Sequence, residues 1–328
     1  MVSRMPCSGA RALMKALVCA GMLWGHAPAQ APRVLIFHKQ NGYIHTATPE
    51  VVSTLTTDWN AHGVTVDTTT DSLAFTSQNL ARYDAVVFLN TNYRNGPLLA
   101  RAQEAAFEDY IRNGGAFVGL HSAIPLNGTM EEAVWPWYAE MYGARFRSHA
   151  PYRAGYIVVE DAAHFSTQGL PARFGLQDEW YALQVNPRAV TGIHVLATVD
   201  ETGFQPDSHM GGDHPVSWSR TFEGGRVWIT VVGHDMGAFG NSSFQTHVRN
   251  GVLWAAGGDS TATALVSRRA AIRPGARSAK GSGAPVTALS YTGKNGARLE
   301  VFVDGRAVAT RRNGSQGVDR ERAEARQR

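Results

Sequence analysis

The sequence contains almost no cysteine, and this absence excludes several classes of protein. Of its 328 residues only two are cysteine, Cys7 and Cys19, and both lie within the first 29 residues. Two cysteines can form one disulfide at most, so the chain is not a disulfide scaffold. If the first 29 residues are removed, the mature protein has no cysteine. Cysteine nucleophiles and thiolate metal sites are then excluded.

Long hydrophobic runs and charged residues are also scarce. No apolar run reaches the roughly 18–20 residues that span a membrane, so we expect no transmembrane segment. Charged residues make up 18% of the chain and hydrophobic residues 44%. A disordered chain would have the opposite balance. The length is sufficient for one large domain with a sizeable core.

The formal charge of +4 is the sum of two basic ends and an acidic middle. Residues 1–29 contain three basic residues and no acidic one, and residues 259–328 carry a net charge of +8. The middle, residues 30–258, carries a net charge of −7 and eleven of the twelve histidines. The basic character therefore belongs to the ends, and the functional residues are expected in the acidic body.

The N-terminal segment 1–29 has the pattern of a secretory signal peptide. Arg4, Arg11 and Lys15 precede the apolar stretch 16–24, and the sequence Ala-Pro-Ala at 27–29 offers a small-x-small cleavage site. A short N-terminal core helix is the alternative, and Cys19 lies in only a weak lipoprotein motif. We expect an exported protein, periplasmic or extracellular after cleavage.

The segments after residue 258 differ from the body in amino-acid composition. Residues 259–286 are rich in alanine, serine, glycine and arginine without apolar periodicity, which is typical of a linker. Residues 287–310 predict a short β-like patch, because two extended runs flank an Asn-Gly turn. Residues 311–328 are charged and predicted to be disordered. Basic tails can bind nucleic acid, but an exported protein has little occasion for it, and no nucleic-acid partner is expected.

Apolar runs alternate with helical segments through the body, residues 30–258. Strands are predicted at 34–37, 64–66, 85–89 and 116–120, helices near 48–63, 97–112 and 243–256, and further strands at 156–159, 195–199, 216–218 and 227–232. This alternation predicts a single main α/β domain. We expect a doubly wound, mostly parallel sheet with helices on both faces.

Polar residues follow several of the predicted strands, where open α/β sheets bind ligands. Histidines stand at three separate strand ends, as His45, His121 and His234. Neutral imidazoles can hold a divalent metal such as zinc, or can transfer protons. The sequence GLHSA at 119–123 places His121 where a nucleophile elbow would place serine or cysteine. Ser122 as a displaced nucleophile is the less favoured alternative.

Seven short motifs of the body resemble the ThuA-like (trehalose utilisation) family, which shares the class I glutamine amidotransferase-like fold. In chain order they are 41–45 (NGYIH), 80–84 (LARYD), 114–123 (GGAFVGLHSA), 146–149 (FRSH), 178–181 (DEWY), 214–218 (HPVSW) and 224–228 (GGRVW), the last continuing to 233–234 (GH). The resemblance covers residues 33–258. It implies a role in carbohydrate metabolism and a sugar-derived substrate, with oxidised (3-keto) sugars and glycosides as candidates.

Three further groups of residues are candidates for the site: a pair of adjacent carboxylates, a polar loop and a set of aromatic residues. Asp178 and Glu179 are adjacent, so on a strand they point to opposite faces, and we expect one of them, Glu179 rather than Asp178, to face the site. The alternative is a solvated loop pair. The loop 207–214 is dense in metal-ligand types but matches no defined spacing, so a polar loop near the entrance is favoured. The aromatic residues Trp135, Trp137, Tyr138, Trp180 and Trp218 could stack on sugars or belong to the core.

We therefore predict a carbohydrate-active protein of the isomerase, lyase or hydrolase type, acting on a sugar or glycoside by histidine-centred acid/base or metal-assisted chemistry. The predicted catalytic residues are His121, Glu179, Asp178 and His149, the predicted metal ligands are His45, His121 and His234, and the predicted substrate-binding residues are Tyr43, Asn90, Ser122, Tyr181 and Trp218. A non-catalytic sugar-binding or cell-surface module is the alternative. Glutamine amidotransferase or cysteine hydrolase chemistry is not expected without cysteine.

Overall fold

The computed structural model describes residues 31–92, 94–126, 135–204, 208–258, 286–292, 298–303 and 306–312. Its first half alternates strands and helices: β1 (Arg33–Phe37), α1 (Thr48–Ala61), β2 (Thr65–Thr69), α2 (Ser77–Leu80), β3 (Ala85–Leu89), α3 (Arg101–Arg112), β4 (Ala116–Leu120) and α4 (Pro136–Tyr142). Strands β3 and β4 are buried along their whole length, as their continuous apolar sequences require.

The second half is richer in strands. It contains β5 (Phe146–His149), β6 (Arg153–Val159), β7 (Arg173–Asp178), β8 (Tyr181–Leu183), β9 (His194–Val199), β10 (Pro215–Phe222), β11 (Gly225–Thr230), α5 (Met236–Phe239) and α6 (Ser242–Ala255). Strands β5 and β8 form a separate antiparallel pair. No helix within the described residues combines the length and the apolar character that crossing a bilayer requires.

One nine-stranded sheet organises the body, in the order β2-β1-β3-β4-β11-β10-β9-β6-β7. The first five strands are parallel, and the remaining four are antiparallel to their neighbours. The predicted α/β fold with a mostly parallel sheet is therefore confirmed, with an antiparallel extension. The chain steps outward from β1 to β2 and then returns to β3 on the other side. This reversal makes a crevice at the carboxyl ends of β1 and β3, where such folds bind ligands.

A second, three-stranded antiparallel sheet contains β12 (Val286–Thr292), β13 (Arg298–Val303) and β14 (Arg306–Arg312). The sequence predicts one hairpin here, and the third strand begins directly after the Asp-Gly dipeptide at 304–305. The predicted signal peptide lies outside the described residues, as do the linker and the tail except at 286 and 311–312. The division of the chain into domains stays a prediction.

Helix α6 lies so close to β11 that only glycine fits between them. A Cβ on Gly251 would lie 2.4 Å from the ring of Trp228, which is itself fully buried. His247, one turn earlier on the same helix, is buried beside this contact. Its Nδ1 lies 3.0 Å from the carbonyl oxygen of Ser166 and its Nε2 2.9 Å from Oγ of Ser217.

The buried imidazole of His247 makes the fold sensitive to acid. Burial lowers its pKa to about 4, from about 6.5 in an unfolded chain. The unfolded state therefore takes up this proton first, and the stabilisation present above pH 6.5 is lost as the pH falls towards 4. We expect this residue to account for about 3 kcal/mol of that loss. Urea unfolding at pH 7 and pH 4.5 should show a smaller acid effect for His247→Gln than for wild type. An equal pH dependence would contradict this assignment.

Candidate functional site

The three predicted histidines lie together at the carboxyl end of the sheet. His45 lies in the loop after β1, His121 directly after β4 and His234 four residues after β11. The ring centroids of His45 and His121 are 5.0 Å apart, and those of His45 and His234 5.1 Å. Glu179 follows β7 and completes the group. One potential ligand atom from each of these four side chains lies within 4.8 Å of all the others.

Two of the histidines have a fixed orientation. Nδ1 of His45 donates to Oε1 of Gln40 at 3.2 Å, and Nδ1 of His121 donates to the carbonyl oxygen of Val231 at 3.2 Å. Each ring therefore has its Nε2 unprotonated on the opposite side, where the nitrogen can accept a hydrogen bond or bind a cation. An acceptor behind a histidine is the usual support for a metal ligand, because it fixes the tautomer and the ring plane.

Burial keeps these two imidazoles neutral. It lowers the pKa of His45 to about 4, helped by the nearby charge of His234. Burial also brings the pKa of His121 well below its usual value, with His45 and His234 acting in the same direction. Neutral imidazole is the form that binds a metal.

Glu179 and His234 form an ion pair on the open side of the group. Oε2 of Glu179 lies 3.1 Å from Nδ1 of His234 and 3.8 Å from Nε2 of His121. The contact with Glu179 raises the pKa of His234, against the effect of its partial burial. Burial works to raise the pKa of Glu179, but His234, His149 and His45 lower it further, so the carboxyl group is ionised.

Backbone conformation holds the group in place. His121 has a φ of +52°, a left-handed value that is unusual for a residue with a side chain. Such strain persists only where surrounding structure enforces it, and it is common at functional sites. Gly233, just before His234, has a φ of +127°, and a Cβ there would lie 2.9 Å from the ring of Phe239. Only glycine permits this turn into the site.

The chemistry of the four donors fits a divalent transition-metal ion. Ligand atoms about 2.0–2.2 Å from a tetrahedral ion lie about 3.3–3.6 Å from one another, comparable with the 3.1 and 3.8 Å found around Glu179. Three imidazoles and one carboxylate are a ligand set that suits zinc, iron or nickel, and the carboxylate also suits manganese. His45, His121, Glu179 and His234 are therefore the residues that would hold such an ion.

Asp178 lies behind this group rather than in it. Its side chain is fully buried, and its Oδ2 accepts hydrogen bonds from the backbone N–H groups of Gly233 and His234, at 2.7 and 3.2 Å. Burial raises its pKa to about 7. Asp178 thus lies where it can position His234, whereas Glu179 is the carboxylate that borders a cavity; a catalytic role of Asp178 stays a prediction.

A cavity of about 570 Å³, a size typical of a small-molecule site, borders two of the four side chains, His45 and Glu179. The residues that line it include Tyr43, His45, Ser122, His149, Glu179 and Tyr181. Tyr43 is largely exposed at its mouth, whereas Ser122 is buried and its hydroxyl group has no hydrogen-bond partner among the described residues. Nδ1 of His149 lies 3.9 Å from Oε1 of Glu179. These residues border the same space, and their substrate-binding and catalytic roles stay predictions.

Two predicted substrate-binding residues do not reach the cavity. Asn90 is fully buried below it and donates from Nδ2 to Oγ1 of Thr48. Trp218 is fully buried in the core, where its Nε1 donates to the carbonyl oxygen of Tyr142. Neither side chain has exposed surface with which to touch a ligand in this structure, and their substrate-binding roles stay predictions. Trp180, Trp135 and Tyr138 are core residues as well.

The polar loop before β10 is held by the carboxylate of Glu201. Oε2 of Glu201 accepts from the backbone N–H of Gly212 at 2.7 Å, and its Oε1 lies 2.9 Å from Nδ1 of His214. Nε2 of His214 donates to the carbonyl oxygen of Tyr181 at 2.8 Å. The loop therefore supports the cavity wall from behind. Asp207, its first residue, lies outside the described residues.

Sequence reasoning missed the residues that orient the ligands. Gln40 lies in the same polar loop as His45, so its position five residues earlier was the available signal. Tyr152, whose hydroxyl group donates to Oδ1 of Asp235 beside His234, had no such signal because the two residues are 83 positions apart. The carbonyl oxygen of Val231 is a backbone group and could not be read from residue type.

Comparison with known proteins agrees with the fold and the motifs. The sequence model of a family described as ThuA, trehalose utilisation, matches residues 33–255, more than half of the chain. The chain belongs to the ThuA family. The resemblance inferred from seven motifs is thereby confirmed, and so is the link to carbohydrate metabolism at the level of the family.

Two solved structures of ThuA-like proteins are similar to this chain. One, from Bacteroides uniformis, is 26% identical with a TM-score of 0.59, and the match covers 72% of this chain and 95% of that protein. The other, from Parabacteroides merdae, is 20% identical with a TM-score of 0.56, covering 69% and 90%. No curated protein matches the sequence. The ThuA fold is thus shared, while the chemistry has to be argued from the site.

Proposed function

We propose that this ThuA protein is a metal-dependent enzyme acting on a sugar or a glycoside, with oxidised (3-keto) glycosides as the first candidates. The observation that carries the proposal is the convergence of three histidines and one glutamate, of which His45 and Glu179 line a cavity. The family link to carbohydrate supports the substrate class. The mixed polar and apolar lining of the cavity and the exposed ring of Tyr43 suit a ligand with hydroxyl groups and apolar C–H faces.

The protonation of the site favours metal-assisted over purely histidine-based chemistry. His45 and His121 are neutral, and each has one nitrogen committed to an acceptor behind it. Neither can donate a proton to a substrate near neutral pH, but both have an unprotonated Nε2 that can bind a cation. A bound divalent ion would polarise a sugar carbonyl or lower the pKa of a water molecule.

The chain's own residues supply the rest of the chemistry. Glu179 is ionised and borders the cavity, so it can accept a proton or help to hold the cation. His149 is partly exposed and lines the same cavity, with its Nδ1 3.9 Å from Oε1 of Glu179. Ser122 offers a buried hydroxyl group without a partner among the described residues, which suits hydrogen bonding to a substrate oxygen. Isomerisation, elimination and hydrolysis are all compatible with these roles.

The test uses the wild-type protein, stripped of metal with a chelator and then reloaded with zinc, manganese, cobalt or nickel. We expect one cation bound for each chain by elemental analysis, and cation-dependent turnover of 3-keto glycosides. A protein that binds neither cation nor glycoside would overturn the proposal. Binding of sugar without turnover would instead identify the alternative, a non-catalytic sugar-binding module.

We further propose that the protein is exported. The support is the basic, apolar and small-residue pattern of residues 1–29, together with the confinement of both cysteines to that segment. Expressed in its native host or a related bacterium, the mature chain should begin at Gln30, which mass spectrometry of the intact protein can measure. Retention of Met1 in the mature protein would contradict export by cleavage.

A further inference from the structure

Tyr181 contacts the nitrogen that His121 would offer to a cation. Its hydroxyl oxygen lies 2.8 Å from Nε2 of His121, and the two rings are 4.5 Å apart. Tyr181 is almost completely buried, yet it lines the cavity. It therefore stands at the boundary between the four potential ligands and the space for a substrate.

The hydrogens of this pair can be assigned. Nδ1 of His121 carries its hydrogen towards the carbonyl oxygen of Val231. The neutral ring then has no second N–H, so Nε2 can only accept. The hydroxyl group of Tyr181 is therefore the donor to Nε2. This nitrogen has a single lone pair, which cannot serve a hydrogen bond and a cation at once.

The ring of Tyr181 is held in this position from several sides. Phe146 packs edge-on against it with centroids 4.8 Å apart, and His149 lies beyond at 5.9 Å. The backbone carbonyl oxygen of Tyr181 accepts from His214. The hydroxyl group can rotate its hydrogen, but the ring cannot easily leave. When its hydrogen bond to Nε2 is broken, the hydroxyl group can turn its hydrogen towards the cavity that Tyr181 lines.

We propose that the hydroxyl group of Tyr181 competes with the cation for Nε2 of His121 and, once displaced, donates a hydrogen bond to an oxygen of the bound substrate. On cation binding one hydrogen bond breaks and one coordination bond forms at the same nitrogen, with no change of protonation. The inference rests on the proposed cation site. It adds a residue whose role changes between the empty and the loaded protein.

The decisive variant is Tyr181→Phe, which removes the competing hydroxyl group and keeps the ring. We expect it to bind zinc or cobalt about fivefold to tenfold more tightly than wild type, because one net hydrogen bond no longer has to be broken. Calorimetric titration of the chelator-stripped protein measures this. A purely structural role would weaken binding or leave it unchanged, and either result overturns the competition.

A matched control is Tyr142→Phe, because the Tyr142 hydroxyl group is also buried but has no hydrogen-bond partner among the described residues and does not line the cavity. Its cation affinity should equal that of wild type. In wild type, adding zinc should change the ultraviolet difference spectrum of tyrosine, and Tyr181→Phe should abolish this change. Absence of the change in wild type contradicts displacement of the hydroxyl group, even if the variant folds poorly.

The substrate contact has its own measurement. Cation-loaded Tyr181→Phe should bind methyl 3-ketoglucoside about fivefold more weakly than loaded wild type, with Tyr142→Phe unchanged. Equal affinity would overturn the donor role. Failure of wild type to bind any cation would instead overturn the proposed metal site. Failure to bind this glycoside would overturn that substrate, and the cation titration would still decide the competition at Nε2.

Discussion

Replacing His121 by alanine should abolish stoichiometric cation binding and cation-dependent turnover together. His121 is fully buried at the centre of the group, with Nε2 facing Glu179 and the rings of His45 and His234 within 5.3 Å. Loss of a residue that merely supports a ligand costs about 10-fold to 100-fold in metal affinity. Loss of a ligand should exceed the upper end of this range, so affinity should fall by more than about 100-fold.

The effect should also be visible as a loss of stabilisation. A cation present at about 100 times its dissociation constant adds about 2.7 kcal/mol to the free energy of unfolding. Wild type should show this gain with zinc and lose it with a chelator, whereas His121→Ala should show the same unfolding midpoint in both. Calorimetric titration and thermal unfolding of the same samples measure the two consequences.

Two further variants separate ligation from folding. Glu179→Gln keeps the size of a partly exposed side chain but removes its charge, so it should fold normally and still lose cation affinity. His194→Ala changes a histidine on the sheet, paired with Asp161 outside the site, and should bind the cation like wild type. The metal site would be refuted if His121→Ala or Glu179→Gln retained wild-type affinity.

Replacing Phe88 by alanine should have the largest effect on stability. Phe88 is fully buried in β3, and its ring lies 5.2–5.9 Å from five other aromatic rings, those of Phe37, Phe75, Phe107, Phe117 and Tyr138. The substitution would leave a cavity among these rings, and the helices and strands that surround it cannot move together far enough to fill it. We expect a loss of about 3–5 kcal/mol, measured by urea unfolding at neutral pH.

Matched substitutions show whether the loss comes from the cavity. Phe88→Leu keeps most of the apolar volume and should cost about 1–2 kcal/mol. Leu73→Ala removes an exposed side chain and should change stability by less than about 0.5 kcal/mol. A loss below about 1 kcal/mol for Phe88→Ala would mean that this aromatic cluster is not the centre of the core. Because β3 and β4 lead directly to Asn90 and His121, the same cluster also fixes the floor of the site.

The sequence could predict the sheet and the edge at which the site lies. Strands such as 85–89 and 116–120 are short, wholly apolar and separated by helical segments, and only a buried parallel sheet accommodates that pattern. Strand ends share one edge in such a sheet. The three histidines that follow separate strands could therefore be placed together before their distances were known.

The choice between adjacent residues needed the tertiary structure. A period of two places Asp178 and Glu179 on opposite sides of a strand, but it does not say which side faces a cavity. The pairing of β7 with β6 and the hydrogen bond from the backbone N–H of His234 hold Asp178 on the buried side. Glu179, the next residue, therefore faces the site. The burial of Asn90 and Trp218 was equally beyond sequence pattern, because it depends on what packs over each strand.

By itself, then, the sequence determined the family, the α/β fold and the histidines at the strand ends, since these follow from local pattern and from parallel topology. Only the tertiary structure decided which nitrogen each histidine presents. Gln40 and the carbonyl oxygen of Val231 fix two of the rings, and the hydroxyl group of Tyr181 reaches one of them from 60 residues away. Such contacts depend on distances between elements remote in sequence, and these arise only when the chain packs.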